Sequence, residues 1–318
     1  MRIASVVSVV AILGLALGNL PAQVVNAPAS APTTRPAVRS IQGPEKKAGL
    51  DVYVVDSDYQ ASPANLYVLL PDKFDKAMKQ YKVLYVLPCW GPSNDGMKEA
   101  KKLDLANKYD IICVGPDYVS MCWYADHPIT PKMLYDSYLP EVVVPFIDKT
   151  YPTIAKPEGR ILVGFSKSGI GAVSELLHHP DVFGRAGAWD APLMENSTRT
   201  EYYGPQEYFT KNYYIPDLLT RQADIFKGKP ARFAIAGFGF GQAPGNIQQC
   251  HQLMDKLGIP NYCDDTIRPH HEWGSGWLGP LVSVLMAEDM TKVAPLGPLT
   301  TPTRPARRPT SRPASATD

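Results

Sequence analysis

The chain has 318 residues, 45% hydrophobic and 20% charged, with a net charge of +1. A chain of this length can bury one large core, and so even a balance of charge gives no reason to expect a nucleic acid or an acidic membrane surface as partner. Many of the 31 prolines lie toward the two ends, which places the folded part in the middle.

The N-terminus has the form of an export signal. Met1-Arg2 supplies a positive start, and Ile3 to Leu17 is an uncharged apolar run. Small residues follow at Ala16/Gly18, Leu20/Ala22 and Ala27/Ala29, so residues 1–29 are expected to be a signal peptide cut between Gly18 and Ser30. An uncleaved anchor is the alternative, but the run is shorter than the ~20 residues of a spanning helix. No cysteine lies nearby to carry a lipid. Thr34-Arg35-Pro36-Ala37 recurs as Thr303-Arg304-Pro305-Ala306 and nearly as Ser311-Arg312-Pro313-Ala314. Such segments lack the apolar residues that offset chain entropy, so 30–47 is expected to be a disordered linker and 294–318 a disordered tail. That leaves 48–293 as the folded unit.

Within it, strand-like and helix-like runs alternate. Leu50–Val55 and Asn65–Leu70 read as two opening strands. Val83–Leu87 is a short apolar run ending at Pro88, Lys98–Tyr109 has helical spacing, and Ile111–Val114 is again strand-like. Tyr135–Tyr151 reads as a helix, Arg160–Phe165 as a strand and Ser168–His179 as a helix. Ala186–Trp189, Arg232–Ala236 and Tyr262–Ile267 are further strands, with helices at Asn246–Leu257 and Leu278–Met290. This alternation predicts an α/β fold with a mostly parallel central sheet covered by helices on both faces. The five cysteines are Cys89, Cys113, Cys122, Cys250 and Cys263. An odd number leaves at least one thiol unpaired in a monomer, and no two have the C-x-x-C spacing of a metal site. Cys113 sits in an apolar run and reads as core.

Chemistry concentrates at Gly164-Phe165-Ser166-Lys167-Ser168-Gly169, directly after a strand and before a helix. This is a nucleophile elbow of G-x-S-x-G type with serine at the last position. The turn holds the Ser166 hydroxyl above the sheet, and the Lys167 backbone N–H at the helix start can donate to an oxyanion. Ser166 could instead be a plain N-cap. Several further stretches resemble the putative esterase family of α/β-hydrolases, which includes S-formylglutathione hydrolase, feruloyl and acetyl-xylan esterases and mycolyltransferases. Tyr81 to Pro88 looks like the family's third strand, and Cys122-Trp123-Tyr124-Ala125-Asp126 like its aromatic segment after the fourth. His178-His179-Pro180-Asp181-Val182-Phe183 resembles its "rHPdlF". His270-His271-Glu272-Trp273, with Trp277 beyond, resembles its "G-H-x-W…W". The resemblance runs from about residue 50 to 290 and implies an α/β-hydrolase fold and ester cleavage.

It also implies that His271, rather than His270, is the base, since the family's histidine precedes x-Trp; an imidazole suits the role because its pKa lies near operating pH. His178 and His179 read as helix-end residues. Two departures stand out. Where the family has an acid after its seventh strand, this chain has Gly237-Phe238-Gly239-Phe240-Gly241-Gln242, with no carboxylate. Asp190, at the end of the sixth strand, is the candidate acid, with an ordinary turn residue as its alternative reading; Asp264 and Asp265 are weaker candidates. At the oxyanion loop, where the family's third strand ends in His-Gly, this chain has Pro88-Cys89-Trp90-Gly91-Pro92; Pro88 has no N–H to give, and the backbone N–H of Trp90 is the candidate second donor beside that of Lys167. Cys89 lacks the elbow context of a nucleophile.

No cofactor motif competes, because Gly237–Gly241 lacks a βαβ context, and no metal-ligand spacing is present. The expected partner is a small-molecule or carbohydrate-linked ester met outside the cytoplasm, with no nucleic acid and no stable membrane insertion after signal cleavage. A hydrolase fold kept as a non-catalytic binding module, and an acyltransferase using the same serine and histidine, are the alternatives. Tyr118, Trp123, Tyr124, Trp273 and Trp277 could line a substrate pocket or belong to the core.

Overall fold

The computed structural model describes residues 36–77, 79–90, 93–119, 123–196, 199–238, 245–266 and 269–297. The chain divides into Met1–Arg35 and Pro36–Asp318. The first unit, with the expected signal peptide, lies outside the described residues. Among the described residues no helix is long and apolar enough to cross a membrane.

Among the described residues nine strands form one sheet: β1 (Val38–Lys47), β2 (Leu50–Ser57), β3 (Ala64–Leu69), β4 (Val83–Val86), β5 (Ile112–Pro116), β6 (Arg160–Phe165), β7 (Arg185–Trp189), β8 (Phe233–Ala236) and β9 (Asn261–Asp264). Their order is β1-β2-β3-β5-β4-β6-β7-β8-β9. The pairs β1–β2, β2–β3 and β3–β5 are antiparallel and all later ones parallel. The helices are α1 (Asp95–Lys102), α2 (Leu105–Tyr109), α3 (Tyr135–Tyr138), α4 (Val144–Thr150), α5 (Lys167–His178), α6 (Thr200–Tyr203), α7 (Gln206–Asn212), α8 (Ile215–Phe226), α9 (Asn246–Lys256) and α10 (Leu278–Met286).

Strands apolar on every residue are those buried on both faces, and β4 shows why. Val83 and Tyr85 enter one core with Ile147 of α4, Val173 of α5, Leu218 of α8 and Met254 of α9. Leu84 and Val86 enter a second with Met97 of α1, Leu105 of α2 and Leu281 of α10. The sheet therefore has helices on both faces, as the alternation of runs predicts. Because β4, β6, β7, β8 and β9 run parallel, the segments that leave their carboxyl ends emerge at one edge, where open α/β sheets bind ligands.

Several expectations need correction. Residues 38–47 were expected in a linker but form β1, an edge strand on β2. Most of its side chains are exposed, so apolar patterning gave no signal. Backbone pairing holds it instead, through a two-residue turn at Ala48 (φ 50) and Gly49 (φ 77) whose positive φ values suit a hairpin; Arg39 adds ion pairs to Asp56 and Asp58. At the other end the tail begins later than 294. The Leu296 N–H donates to Asp264 Oδ2 at 2.7 Å and Leu296 packs on the second core; residues 298–318 lie outside the described residues. The helix expected over Lys98–Tyr109 is α1 and α2, broken at Asp104, whose φ is 54. That over Tyr135–Tyr151 is α3 and α4, joined by a π-turn at Leu139–Val143 where Pro140 removes a backbone donor.

Candidate active site

Ser166 tops the turn from β6 into α5 with φ 52 and ψ −125. A non-glycine residue there is strained, and the surroundings enforce it. The Ser166 N–H donates to the Trp189 carbonyl of β7 at 2.8 Å. A Cβ on Gly164 would come within 2.2 Å of the Ser168 carbonyl oxygen, and one on Gly169 within 2.7 Å of the Ala191 Cβ. Ser168, where the motif usually has glycine, turns its hydroxyl back to the strand: Oγ accepts from Phe165 N–H and lies 3.0 Å from the Phe165 carbonyl, to which it donates. The serine thus closes the turn instead of crowding it. Lys167 is the first residue of α5, where backbone N–H groups have no partner within the helix.

Asp190 follows β7 directly, with φ 46. Its N–H donates to the Ala236 carbonyl of β8 at 2.8 Å, and its Oδ1 accepts from Phe238 N–H at 3.2 Å. Its Oδ2 lies 2.6 Å from His271 Nδ1. The two side chains are 13% and 19% exposed, so the pair is largely shielded from water. His270, by contrast, is exposed. Gly237 makes this approach feasible. Its φ is +98, and a Cβ there would sit 2.8 Å from Asp190 N and 2.9 Å from Asp190 Cα. Asp264 is committed elsewhere, capping Thr266 and holding Leu296.

Aromatic rings set the position of His271. The Phe165 ring meets the imidazole edge-on at 5.1 Å and Trp273 at 5.0 Å. Trp277 stacks on Trp189 at 5.8 Å and donates its indole N–H to the Glu272 carbonyl at 3.0 Å. Trp273 packs against Gly96 of α1, where a Cβ would come within 2.9 Å of the indole. The expected pocket aromatics therefore divide. Tyr118, Tyr124 and Trp277 are fully buried core residues. Trp123 borders a small cavity with Ile170, Tyr203 and Tyr213, and Trp273 lines an open cleft of about 470 Å³ with Trp90, Phe165 and His271.

The loop after β4 lies against the elbow. Burial pushes the Cys89 thiol up, with Lys167 and the neighbouring Ser166 hydroxyl and backbone N–H groups of Ser168 and Lys167 offsetting part of the effect. Cys89 is thus a buried neutral thiol beside Ser166, without the thiolate character of a nucleophile. Trp90 is 60% exposed. The Tyr124 hydroxyl donates to the Pro88 carbonyl at 2.6 Å, and its ring fills the space that Gly171 leaves, where a Cβ would come within 2.3 Å. Sequence reasoning missed Tyr124 as the anchor of this loop; the signal was an aromatic residue facing a glycine one turn into α5.

The profile of the family described as "Putative esterase" matches residues 57–206. Residues 57–206 are thus similar to that family. Two esterases of Mycobacterium tuberculosis, one from each of two strains, are 28% identical over 136 residues, which cover 39% of this chain and 28% of theirs. The chain thus spans little more than a quarter of the length of those relatives. Among solved structures, MPT51 (FbpC1) of M. tuberculosis superimposes with a TM-score of 0.61 at 16% identity, covering 76% of this chain and 98% of its own. S-formylglutathione hydrolase of Agrobacterium tumefaciens gives 0.59 at 16%, covering 78% and 95%. The fluorophosphonate-binding serine hydrolase F of Staphylococcus aureus gives 0.60 at 18%, covering 75% and 98%. At these identities the likeness is one of fold, that of the α/β-hydrolases. Against the esterase-family pattern, this domain brings a carboxylate to the histidine from the end of β7, and the residue after β8 is a glycine that makes room for it.

Proposed function

We propose that the protein is a serine carboxylic-ester hydrolase that works through an acyl-enzyme on Ser166. The observation that carries this reading is the 2.6 Å contact between His271 Nδ1 and Asp190 Oδ2, at the sheet edge where Ser166 stands in its strained turn. Asp190 fixes the tautomer in which Nδ1 bears the proton, so Nε2 is the nitrogen that takes the Ser166 proton as Oγ attacks the ester carbonyl. The imidazolium formed is stabilised by the Asp190 carboxylate. The backbone N–H groups of Lys167 and Trp90 are the donors for the oxyanion of the tetrahedral intermediate. His271 returns its proton to the leaving alcohol; it then activates a water that releases the acid and regenerates Ser166. The open cleft beside His271 receives the alcohol side of the substrate. The names of the similar proteins, esterases and serine hydrolases, support the same chemistry. With residues 1–29 as an export signal, the ester is met outside the cytoplasm.

A fluorophosphonate probe tests this reading. The wild type should be labelled stoichiometrically and hydrolyse short p-nitrophenyl esters, whereas Ser166→Ala should lose both activities and keep its fold. Labelling that survives in Ser166→Ala would refute the assignment.

A further inference from the structure

We propose that Asp136, His178 and His179 form a site for one divalent transition-metal ion, with zinc the best fit, on the side of the fold away from Ser166. The sequence shows no metal-ligand spacing here; the fold creates the cluster. Asp136 lies in α3, His178 ends α5 and His179 follows it as the cap. Their ligand atoms all lie within 4.8 Å of one another. His178 Nδ1 is 2.9 Å from Asp136 Oδ2, and His179 Nε2 is 3.3 Å from Asp136 Oδ1. Two donors each about 2.0–2.1 Å from one tetrahedral zinc ion stand about 3.3–3.4 Å apart. The separations observed, each to a different oxygen of Asp136, lie within about 0.5 Å of that spacing, so a small adjustment of the side chains closes the three residues around one ion.

Orientation favours ligation over a simple ion pair. His178 Nε2 lies 2.7 Å from the Asn212 carbonyl, which can only accept, so Nε2 carries a proton. Nδ1 is thereby turned inward, and a backbone carbonyl orienting the ring in this way is the usual support of a metal-bound imidazole. Although Nδ1 lies 2.9 Å from Asp136 Oδ2, it makes no hydrogen bond of acceptable geometry. A lone pair directed at an ion between the two groups accounts for both facts. Outer support is in place: the Tyr213 hydroxyl is 3.5 Å from Asp136 Oδ2 and accepts from the Asp126 N–H at 2.8 Å. His179 is 26% exposed, so water can reach the fourth position. Two imidazoles and one carboxylate suit zinc, whereas calcium and magnesium prefer all-oxygen sites.

The site's role follows from what it joins. It links α3, the end of α5 and the end of α7 at Asn212 and Tyr213. Ser166 is about 18 Å away along α5 at 1.5 Å per residue, so the ion is structural and takes no part in the reaction. Tyr213 also lines the cavity beside Trp123, so the ion fastens the wall of that cavity to the core.

The test uses the full chain, stripped with EDTA, dialysed and titrated with Zn²⁺ by calorimetry at pH 7.5. One equivalent should bind. The Tm should rise by roughly 5–10 °C at about 100-fold excess over Kd, and Co²⁺ in its place should give the visible absorption of a four-coordinate ion. His179→Gln removes one partly exposed ligand and should lose the Tm rise and at least ten-fold in affinity, while metal-free Tm and ester hydrolysis stay near wild type. Asp136→Asn should abolish binding; if that variant does not fold, His179→Gln decides alone. Wild-type binding below a tenth of an equivalent, or equal stabilisation of wild type and His179→Gln by Zn²⁺, overturns the proposal.

Discussion

Replacing Asp190 with asparagine removes one charge and almost nothing else, so its effect on turnover can be worked out from the site. The carboxylate and imidazole are 2.6 Å apart and only 13% and 19% exposed. That calls for an intermediate effective dielectric rather than that of water. With charge centres about 4 Å apart, the attraction between Asp190 and the imidazolium formed on attack is about 4 kcal/mol, or about 10³ in rate. A second effect adds to it. Oδ1 of Asp190 accepts from Phe238 N–H, so an asparagine will keep its carbonyl oxygen there and turn its NH₂ toward His271. That amide donates to Nδ1, which forces the proton onto Nε2 and removes the base from Ser166. Together the two effects give an expected loss of 10³–10⁴ in kcat, comparable with about 10⁴ for the equivalent change in a serine protease. The assay is p-nitrophenyl acetate turnover with burst amplitude, alongside thermal melting to confirm the fold. A folded Asp190→Asn variant within about ten-fold of wild-type kcat would refute the role given to this carboxylate.

Gly237→Ala should cost roughly 1–3 kcal/mol in a denaturant titration and lower kcat at least about ten-fold, because the added Cβ meets the Asp190 backbone at 2.8 Å; full activity would mean that Asp190 tolerates displacement. His270→Ala should leave acylation nearly unchanged, whereas His271→Ala should abolish the burst; the reverse outcome in stopped-flow traces would move the base by one residue. Asp117 is buried, accepts from Ser93 N–H at 3.1 Å and Tyr118 N–H at 2.9 Å, and burial pushes its carboxyl from 3.8 to about 6. The folded state thus holds this proton more tightly than the unfolded chain, so the group's contribution is full below pH ~4 and lost as pH rises through about 6. Asp117→Asn should therefore gain roughly 2 kcal/mol at pH 8, the rise being worth about 3 before solvent screening, and almost nothing at pH 4; urea midpoints that do not differ between the two pH values would contradict this.

The sequence was most readable where geometry is local. A strand–turn–helix with glycines around Ser166 can be recognised from six residues, because the strained turn excludes larger neighbours. The parallel strands were readable because burial on both faces leaves unbroken apolar runs, as in Val83–Val86. β1 was hidden because its stability comes from backbone pairing and its side chains face water, so its composition matched that of a linker. The partner of His271 was ambiguous because Asp190 and His271 are 81 positions apart; only the alignment of β7 beside β8 shows which carboxylate reaches the imidazole. The Asp136–His178–His179 cluster was invisible for the same reason: its members belong to two helices, and a His-His-Pro sequence at a helix end also reads as ordinary termination.

The position of the carboxylate has a consequence for how this scaffold can change. Where the acid stands on a loop after the penultimate strand, that loop must keep its length and shape, since any slip carries the charge away from the histidine. Here the acid is fixed by β7, and its neighbour demands only a glycine and a backbone N–H at Gly237 and Phe238. On the proposed mechanism, a change of length between Phe238 and the start of α9 should leave the Asp190–His271 contact in place, because that contact depends on β7 and on the backbone at Gly237 and Phe238.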